Sequence, residues 1–184
     1  MAHSRRFPAP RRTNLLRLAT VLVLAALALW QHFSEAPPNV IHEPGAFVRV
    51  ERAVDGDTLL LGDRTRVRLL GVDTPETKKP DWPVERFGPE AHEFTAVHVE
   101  GRRVRLEFDK ERHDKYGRVL AYVYLDDWFL NEELIRAGLG RAITNHPYNE
   151  TMKRRFRAAQ REAQHEKRGI WSIEHETSKT SKSR

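Results

Sequence analysis

The alternation of hydrophobic and polar residues predicts one small domain of five strands and three helices over residues 46–172. Apolar or alternating runs typical of strands occupy five segments, namely 46–54, 59–61, 67–70, 104–108 and 118–125. A helical stripe over 88–100 is interposed after the third strand. A short helix is predicted after Asn131 and a longer one after Asn149, because asparagine is a favoured N-cap residue. This pattern is typical of an α+β domain that is mainly β.

Residues 1–36 carry a different pattern, in which five arginines precede a continuous apolar run from Leu18 to Trp30. This order is typical of a signal anchor or a signal peptide. A membrane span takes about 20 residues, which a single hydrophobic helix over residues 15–33 supplies. The sequence favours an uncleaved anchor, with the arginines in the cytoplasm and the domain outside it. Cleavage near residue 36 would instead make the domain secreted or periplasmic.

The composition excludes fewer possible functions than the motifs do. The net charge of +6 comes mostly from the two ends of the chain, since residues 37–172 hold 24 Lys and Arg against 23 Asp and Glu. Bulk charge is therefore no argument for nucleic-acid binding. The absence of cysteine excludes disulfides, a zinc ribbon and a thiol nucleophile. Residues 37–45 are predicted as a proline-bearing linker and residues 173–184 as a disordered polar tail.

Two acidic corners flank the second and third predicted strands, DGDT at 55–58 and DTPE at 73–76. A turn at 62–64 makes these strands a hairpin, which places Asp57 and Asp73 at the same end. Two converging carboxylates repel each other unless a cation lies between them. Oxygen ligands predict a hard cation, calcium first and then magnesium or manganese.

Two further residues lie close to this predicted ion. Glu76 follows Asp73 by three residues, and Arg68 is the charged member of an otherwise apolar strand. A guanidinium there can aim a fork of donors at phosphate oxygens beside the ion. Each corner alone has a plainer interpretation, since Asp-Gly-Asp is often a turn and Asp-Thr-Pro-Glu often opens a helix. Their combination favours a site.

The motifs together resemble the staphylococcal nuclease family. The matching segments occur in the family's order and at nearly its spacings: DGDT at 55–58, RLLGVDTPE at 68–76, GPEA at 88–91, DKYGR at 114–118, AY at 121–122, NE at 131–132 and IWS at 170–172. The resemblance implies a five-stranded OB-type barrel with three helices, here preceded by the N-terminal hydrophobic helix. It also implies calcium-dependent hydrolysis of DNA or RNA with little sequence preference, leaving 3′-phosphate ends.

The same resemblance implies a role for each site residue. Calcium would be held by Asp57, Asp73 and the backbone carbonyl of Thr74, with Asp55 supporting these ligands from behind. Arg68 and Arg118 would bind the phosphate, and Glu76 would act as general base or orient the water. Lys115 and Tyr116 match positions that contact a terminal phosphate in the family.

One segment departs from the family's pattern. Where the family has aromatic residues that flank the bound base, this chain reads RAITNHPY at 141–148, and Tyr148 and His146 are the candidates to replace them. Base stacking is worth about 1–3 kcal/mol per base, so weaker binding or altered base preference is expected.

The rival interpretation is a nuclease-like OB module that binds nucleic acid or protein at the membrane without cutting. That interpretation predicts the loss of some of five residues, yet all are present: Asp57, Arg68, Asp73, Glu76 and Arg118. A structural calcium-binding domain would leave both arginines and Glu76 unexplained. No protein partner is implied, and a monomer is expected.

Overall fold

In a computed structural model of the chain, residues 21–25, 42–77 and 85–172 are described. The chain divides into two units, residues 1–37 and 38–184. Residues 21–25 are helical and exposed. Among the described residues, no helix is long and apolar enough to cross a membrane. The predicted anchor, most of the predicted linker and the predicted tail lie outside the described residues.

The described residues of the second unit form eight strands and three helices. The strands are β1 (Phe47–Asp55), β2 (Thr58–Leu61), β3 (Arg66–Leu69), β4 (Val72–Asp73), β5 (Arg103–Glu107), β6 (Val119–Leu125), β7 (Trp128–Phe129) and β8 (Arg141–Ala142). The helices are α1 (Gly88–Val99), α2 (Leu130–Arg136) and α3 (Glu150–His165). All five predicted strands and all three predicted helices of the domain are present, with ends shifted by a few residues.

Five of these strands close a barrel. The sheet order is β3-β2-β1-β5-β6, and a parallel pairing of β3 with β6 joins the two edges. In that pairing Val67 lies opposite Val119 and Leu69 lies opposite Ala121. The predicted five-stranded barrel is therefore confirmed. The short strand β7 pairs with β6 as a sixth strand of this sheet, and β4 pairs with β8 in a separate two-stranded ladder.

The barrel interior is filled by alternate residues of the strands. Leu59 and Leu61 on β2, Val67 and Leu69 on β3, and Leu106 on β5 are almost completely buried. Burying one such side chain stabilises the fold by about 1.5–3 kcal/mol. Because the side chains of β2 and β3 alternate, the hairpin is anchored in the core along its whole length.

Asn131 differs from its prediction, because it does not cap α2. The N-cap position is Phe129, and no side chain caps the helix there. Asn131 is instead fully buried, where its Nδ2 donates to the carbonyls of Leu70 at 3.0 Å and Ala121 at 3.2 Å. Its Oδ1 accepts from the Val123 amide at 2.9 Å. The side chain therefore ties β6 to the segment that follows β3.

The other predicted cap is confirmed. The Asn149 side chain accepts hydrogen bonds from the amides of Thr151 and Met152 at the start of α3. This cap needs only neighbouring backbone groups, so local preference was enough to predict it.

Candidate active site

Asp57 links the two acidic corners. It is only 6% exposed, and its Oδ1 accepts from the Thr58 hydroxyl at 3.0 Å. Its Oδ2 accepts from the amide of Thr74 at 2.9 Å and from the hydroxyl of Thr74 at 3.1 Å. The corner that opens β2 is thereby bonded directly to the corner that follows β4.

Asp57 and Asp73 converge on one guanidinium nitrogen. The Nη2 atom of Arg68 lies 3.0 Å from Asp57 Oδ2 and 2.9 Å from Asp73 Oδ1. Its Nη1 donates to the carbonyls of Leu69 and Val72 at 3.0 and 2.5 Å. The two carboxylates therefore converge as predicted, although Asp73 lies on β4 rather than on the β2–β3 hairpin itself. Arg68 makes four polar contacts at this point.

The electrostatics at Asp73 favour additional positive charge. Burial raises the pKa of this carboxyl group most, and the carboxylates of Asp57 and Glu85 add to the rise. Arg68 and Arg141 lower the pKa, but the net pKa stays above its usual value. A cation bound at this point would favour the charged form of the carboxylate.

The donor set fits a hard cation that takes only part of its coordination from side chains. Two carboxylate oxygens already accommodate one positively charged group, and all of the predicted ligands are oxygens. Within residues 42–77 and 85–172, no group of three or more His, Cys, Asp or Glu side chains could hold a metal ion. Calcium takes six to eight oxygen ligands, so backbone carbonyls, water or substrate would have to supply the others.

Asp55 braces the first corner. Its Oδ1 accepts from the Gly56 amide at 2.9 Å and from the hydroxyl of Thr77 at 2.7 Å. A Cβ at Gly56 would lie 2.8 Å from both the Ala91 Cβ and the Thr74 hydroxyl. The corner is therefore packed tightly between α1 and the second corner.

Glu76 lies three residues beyond Asp73 and is half-buried. Its amide donates to Glu85 Oε2 at 3.2 Å, and its carbonyl accepts from the Glu85 amide at 3.0 Å. Two hydrogen bonds therefore join Glu76 to Glu85 across the segment 78–84, which lies outside the described residues; one is between backbone groups and the other involves the Glu85 side chain. These bonds hold the end of the short segment that contains Asp73, Thr74 and Glu76.

Arg118 is oriented by Asp114. Asp114 Oδ2 accepts from Arg118 Nε at 2.7 Å and lies 2.6 Å from its Nη2, while Oδ1 accepts from the amides of Tyr116 and Arg118. Burial raises the pKa of Asp114, but these hydrogen bonds outweigh it and hold the pKa below its usual value. The carboxylate stays charged and keeps the guanidinium in a fixed position.

Both predicted phosphate-binding arginines line one hollow. Its volume is about 180 Å³, and its wall includes Arg68, Gly71, Arg118 and His146. Lys115 and Tyr116 lie beside Arg118 in the loop before β6, and Tyr116 is 72% exposed. The Arg118 guanidinium carbon is 5.5 Å from the Tyr116 ring centroid.

Comparison with known proteins identifies the family. The family model described as "Staphylococcal nuclease homologue" matches residues 66–173. The chain is 46% identical to the thermonuclease of Staphylococcus hyicus over 127 residues, which cover 67% of this chain and 75% of the relative. It is 48% identical over 125 residues to the thermonuclease of Staphylococcus intermedius, covering 66% of this chain and 74% of the relative. Endonuclease YncB of Bacillus subtilis (strain 168) is 43% identical over 129 residues, covering 68% of this chain and 61% of the relative.

The chain belongs to the staphylococcal nuclease family. It is therefore a nuclease, and the predicted resemblance is confirmed.

Tyr148, one of the two residues predicted as candidates to flank a bound base in this nuclease, does not take that role because it is buried. It is only 6% exposed, its hydroxyl donates to the Ile143 carbonyl at 2.6 Å, and its ring packs against Phe156. Burial raises its pKa to about 12, with smaller rises from Glu150 and Asp109 and a small lowering from Arg157. His146 does line the hollow, and its Nε2 lies 2.9 Å from Glu111 Oε2. His146 therefore stays a candidate.

The structure also brings residues to the site that the sequence did not indicate. Arg141 pairs with Asp73 in the β4–β8 ladder, and Glu85 lies beside Asp73 in a second hollow of about 280 Å³. A ladder of two residues per strand leaves no periodic signal in a sequence. Asp114 was visible as part of a motif, but its bonds to Arg118 became evident only in the fold.

Proposed function

We propose that this nuclease is a calcium-dependent phosphodiesterase that cleaves DNA, RNA or both with little sequence specificity and leaves 3′-phosphate ends. The observation that carries the proposal is the hollow lined by both Arg68 and Arg118, because Arg68 also contacts the carboxylates of Asp57 and Asp73. Phosphodiester hydrolysis builds negative charge on the phosphate oxygens, and such charge is stabilised by fixed cationic donors.

The ion-binding part of the proposal rests on oxygen chemistry. Asp57, Asp73 and the carbonyl of Thr74 are the proposed ligands, with Asp55 bracing the first of them through Gly56 and Thr77. Calcium bound there would supply positive charge to a phosphate oxygen and favour ionisation of bound water. Magnesium and manganese are the alternatives, because they also prefer oxygen ligands.

The protein's own groups then bind and orient the phosphate. Arg118 is preorganised by Asp114, so its remaining donors face substrate without first having to be ordered. Arg68 is anchored through Nη1 by two backbone carbonyls. Lys115 and Tyr116, exposed beside Arg118, are proposed to contact a terminal phosphate.

Glu76 is proposed to take the proton of the attacking water or to orient that water. Glu76 belongs to the same short segment as the proposed ligands Asp73 and Thr74, which supports this assignment. A general base must reach the proton directly or through one water.

The proposed setting follows from the N-terminal pattern. Residues 15–33 are proposed to anchor the chain in a membrane with the nuclease domain outside the cytoplasm, or to be removed so that the domain is secreted or periplasmic. The proposed partner is the nucleic-acid substrate, bound by a monomer.

Analysis of the product ends tests the bond that is cleaved. Fragments of a single-stranded DNA should resist extension by a polymerase until a phosphatase removes a 3′-phosphate, and their 5′ ends should accept phosphate from a kinase directly. Products that a polymerase extends without phosphatase treatment would show cleavage on the other side of phosphorus and overturn that part of the proposal.

A further inference from the structure

The two flanks of α3 differ in how their charges are compensated. Phe156, Ala159 and Ala163 face the core. On one flank Arg155 pairs with Glu132, and Glu162 pairs with Arg136 and Arg168. The basic and acidic side chains of that flank neutralise each other.

The opposite flank presents three exposed arginines, Arg154, Arg157 and Arg161, here called the basic flank. Their spacing of three and four residues places them on one side of the helix. In the described part of the chain, none of the ion pairs involves these three arginines. Arg154 donates to the Thr151 hydroxyl at 2.9 Å. Glu150, which lies beside them at the start of α3, is bonded to Lys153 at 2.8 Å.

The wall of the hollow continues into α3, the helix that carries the basic flank. Residues 142–148 connect β8 to α3, and Ile143 within this connection lines the hollow. The Ala142 amide donates to Gln160 Oε1 at 2.8 Å, and Lys153 Nζ lies 5.2 Å from the Tyr148 ring centroid. The connection is therefore held against α3 through Gln160 and Lys153, and it leads directly into the helix that carries the basic flank.

We propose that the basic flank binds backbone phosphates of the nucleic acid that continues beyond the phosphodiester in the hollow. The inference rests on the proposed function, because it assigns the flank to the same substrate. Arg154 and Arg161 are seven residues apart, which corresponds to about 10 Å along a helix. One strand of a duplex carries a phosphate about every 3.4 Å, so the flank matches about three phosphates.

Such contacts position a substrate without reading its sequence. They act only on substrates long enough to reach from the hollow to α3. The flank should therefore lower KM for long nucleic acids of any sequence and leave the chemical step unchanged.

The test compares two full-length variants with the same loss of charge. One carries Arg154→Gln, Arg157→Gln and Arg161→Gln. The control carries Arg49→Gln, Arg66→Gln and Arg102→Gln, which replace exposed arginines at the end of the barrel that holds the 62–65 turn. That end of the β2–β3 hairpin is opposite to the end that carries Asp57 and Asp73.

The assays are KM and kcat on a single-stranded DNA of about 30 nucleotides, cleavage of a dinucleotide, and binding of the labelled DNA at several salt concentrations. The flank variant should show a raised KM for the long DNA, with kcat and dinucleotide cleavage unchanged. Losing three phosphate contacts should reduce the slope of log K against log salt by about 2. The control variant should match the wild type in all three assays.

Three results would overturn the inference. The flank variant could have the same KM for long DNA as the control variant. It could also lose cleavage of the dinucleotide, which would indicate an effect on the active site itself. It could also lose binding to phosphatidylserine vesicles while keeping its affinity for DNA, which would assign the flank to a membrane surface. A wild-type chain that binds DNA through the flank but cuts neither substrate would support the inference and refute the proposed hydrolysis.

Discussion

At the residue scale, the position of the Arg118 guanidinium depends on one carboxylate, that of Asp114. Asp114 binds the guanidinium through Nε and Nη2 and also accepts two backbone amides of its own loop. Arg68 is fixed differently, by two backbone carbonyls and the two acidic side chains. Both arginines are therefore immobilised before substrate arrives, which reduces the entropy lost on binding.

Replacement of Arg118 by lysine keeps the charge and removes the fork. We expect Arg118→Lys to lower transition-state stabilisation by about 2–4 kcal/mol, because lysine cannot bind both Asp114 and a phosphate in this geometry. This corresponds to a loss of roughly 30- to 1,000-fold in kcat/KM. Arg103→Lys, at an exposed strand position, is the matched control. Activity of Arg118→Lys within about twofold of the wild type would remove Arg118 from the phosphate site.

Asp114 should also couple stability to pH. Its folded-state pKa lies below the usual 3.8, so the charged carboxylate stabilises the fold. This contribution is complete above the unfolded-state pKa and is lost as pH falls through the lower folded-state pKa. Urea midpoints of the wild type and Asp114→Asn should differ at pH 7 and converge as the pH falls below 3.8. A difference that stays constant down to pH 2 would contradict this role.

At the scale of elements, the strands and the meeting of Asp57 with Asp73 could be predicted from local patterns, whereas the closed barrel was implied by the family resemblance. Alternating side chains define β2 and β3, and the turn between them sets which ends meet. Asn131 could not be predicted in the same way. Its local sequence favours a helix cap, but the buried carbonyls of Leu70 and Ala121 come from distant segments and outweigh that preference.

Contacts with distant segments also determine the structure of the segment after α2, so it could not be predicted from local patterns. Tyr148 is polar enough to be exposed, yet Gly71, with φ +79, lets the chain pass so close that an added Cβ would lie 2.6 Å from Phe156 and 2.8 Å from the Tyr148 hydroxyl. This contact buries Tyr148 and leaves His146 at the hollow. The pairing of Arg141 with Asp73 is equally non-local.

Removal of the Asn131 side chain should destabilise the junction between β6 and the segment after β3. Asn131→Ala removes the side-chain partner of the Val123 amide and of the Leu70 carbonyl, at about 1–3 kcal/mol for each buried unpaired group, whereas the Ala121 carbonyl keeps its bond from the Leu70 amide. We therefore expect Asn131→Ala to lower the free energy of unfolding, measured by urea denaturation, by at least about 2 kcal/mol. The matched control Asn149→Ala removes only a cap and should cost about 1 kcal/mol. Equal losses in the two variants would show that the Asn131 bridge contributes no more than a cap.

At the scale of the whole molecule, residues 1–36 and the nuclease domain are proposed to have separate roles. In the domain, β1 begins at Phe47, and Trp171 is buried close to the last described residue. The proposal that the N-terminal segment sets the side of the membrane on which the active site lies rests on its apolar run in the sequence.

The proposed anchor predicts a retained N-terminus. In cells, the full chain should fractionate with membranes at its full mass, and protease added outside should digest the domain. A variant lacking residues 1–36 should lose both properties. Recovery of a mature protein that begins near residue 37 would contradict an anchor and assign the segment to a cleaved signal peptide.

The central claim is that Asp57, Asp73, Glu76, Arg68 and Arg118 form a calcium-dependent hydrolytic site. The most direct measurement is cleavage of single-stranded DNA by the full chain with calcium or with a chelator, alongside Glu76→Gln, Arg118→Ala and the exposed control Arg103→Ala. We predict cleavage that requires calcium, is lost in both site variants and is retained in the control. Folded protein that binds the DNA but leaves it intact with calcium, magnesium and manganese would contradict the account and favour a binding module.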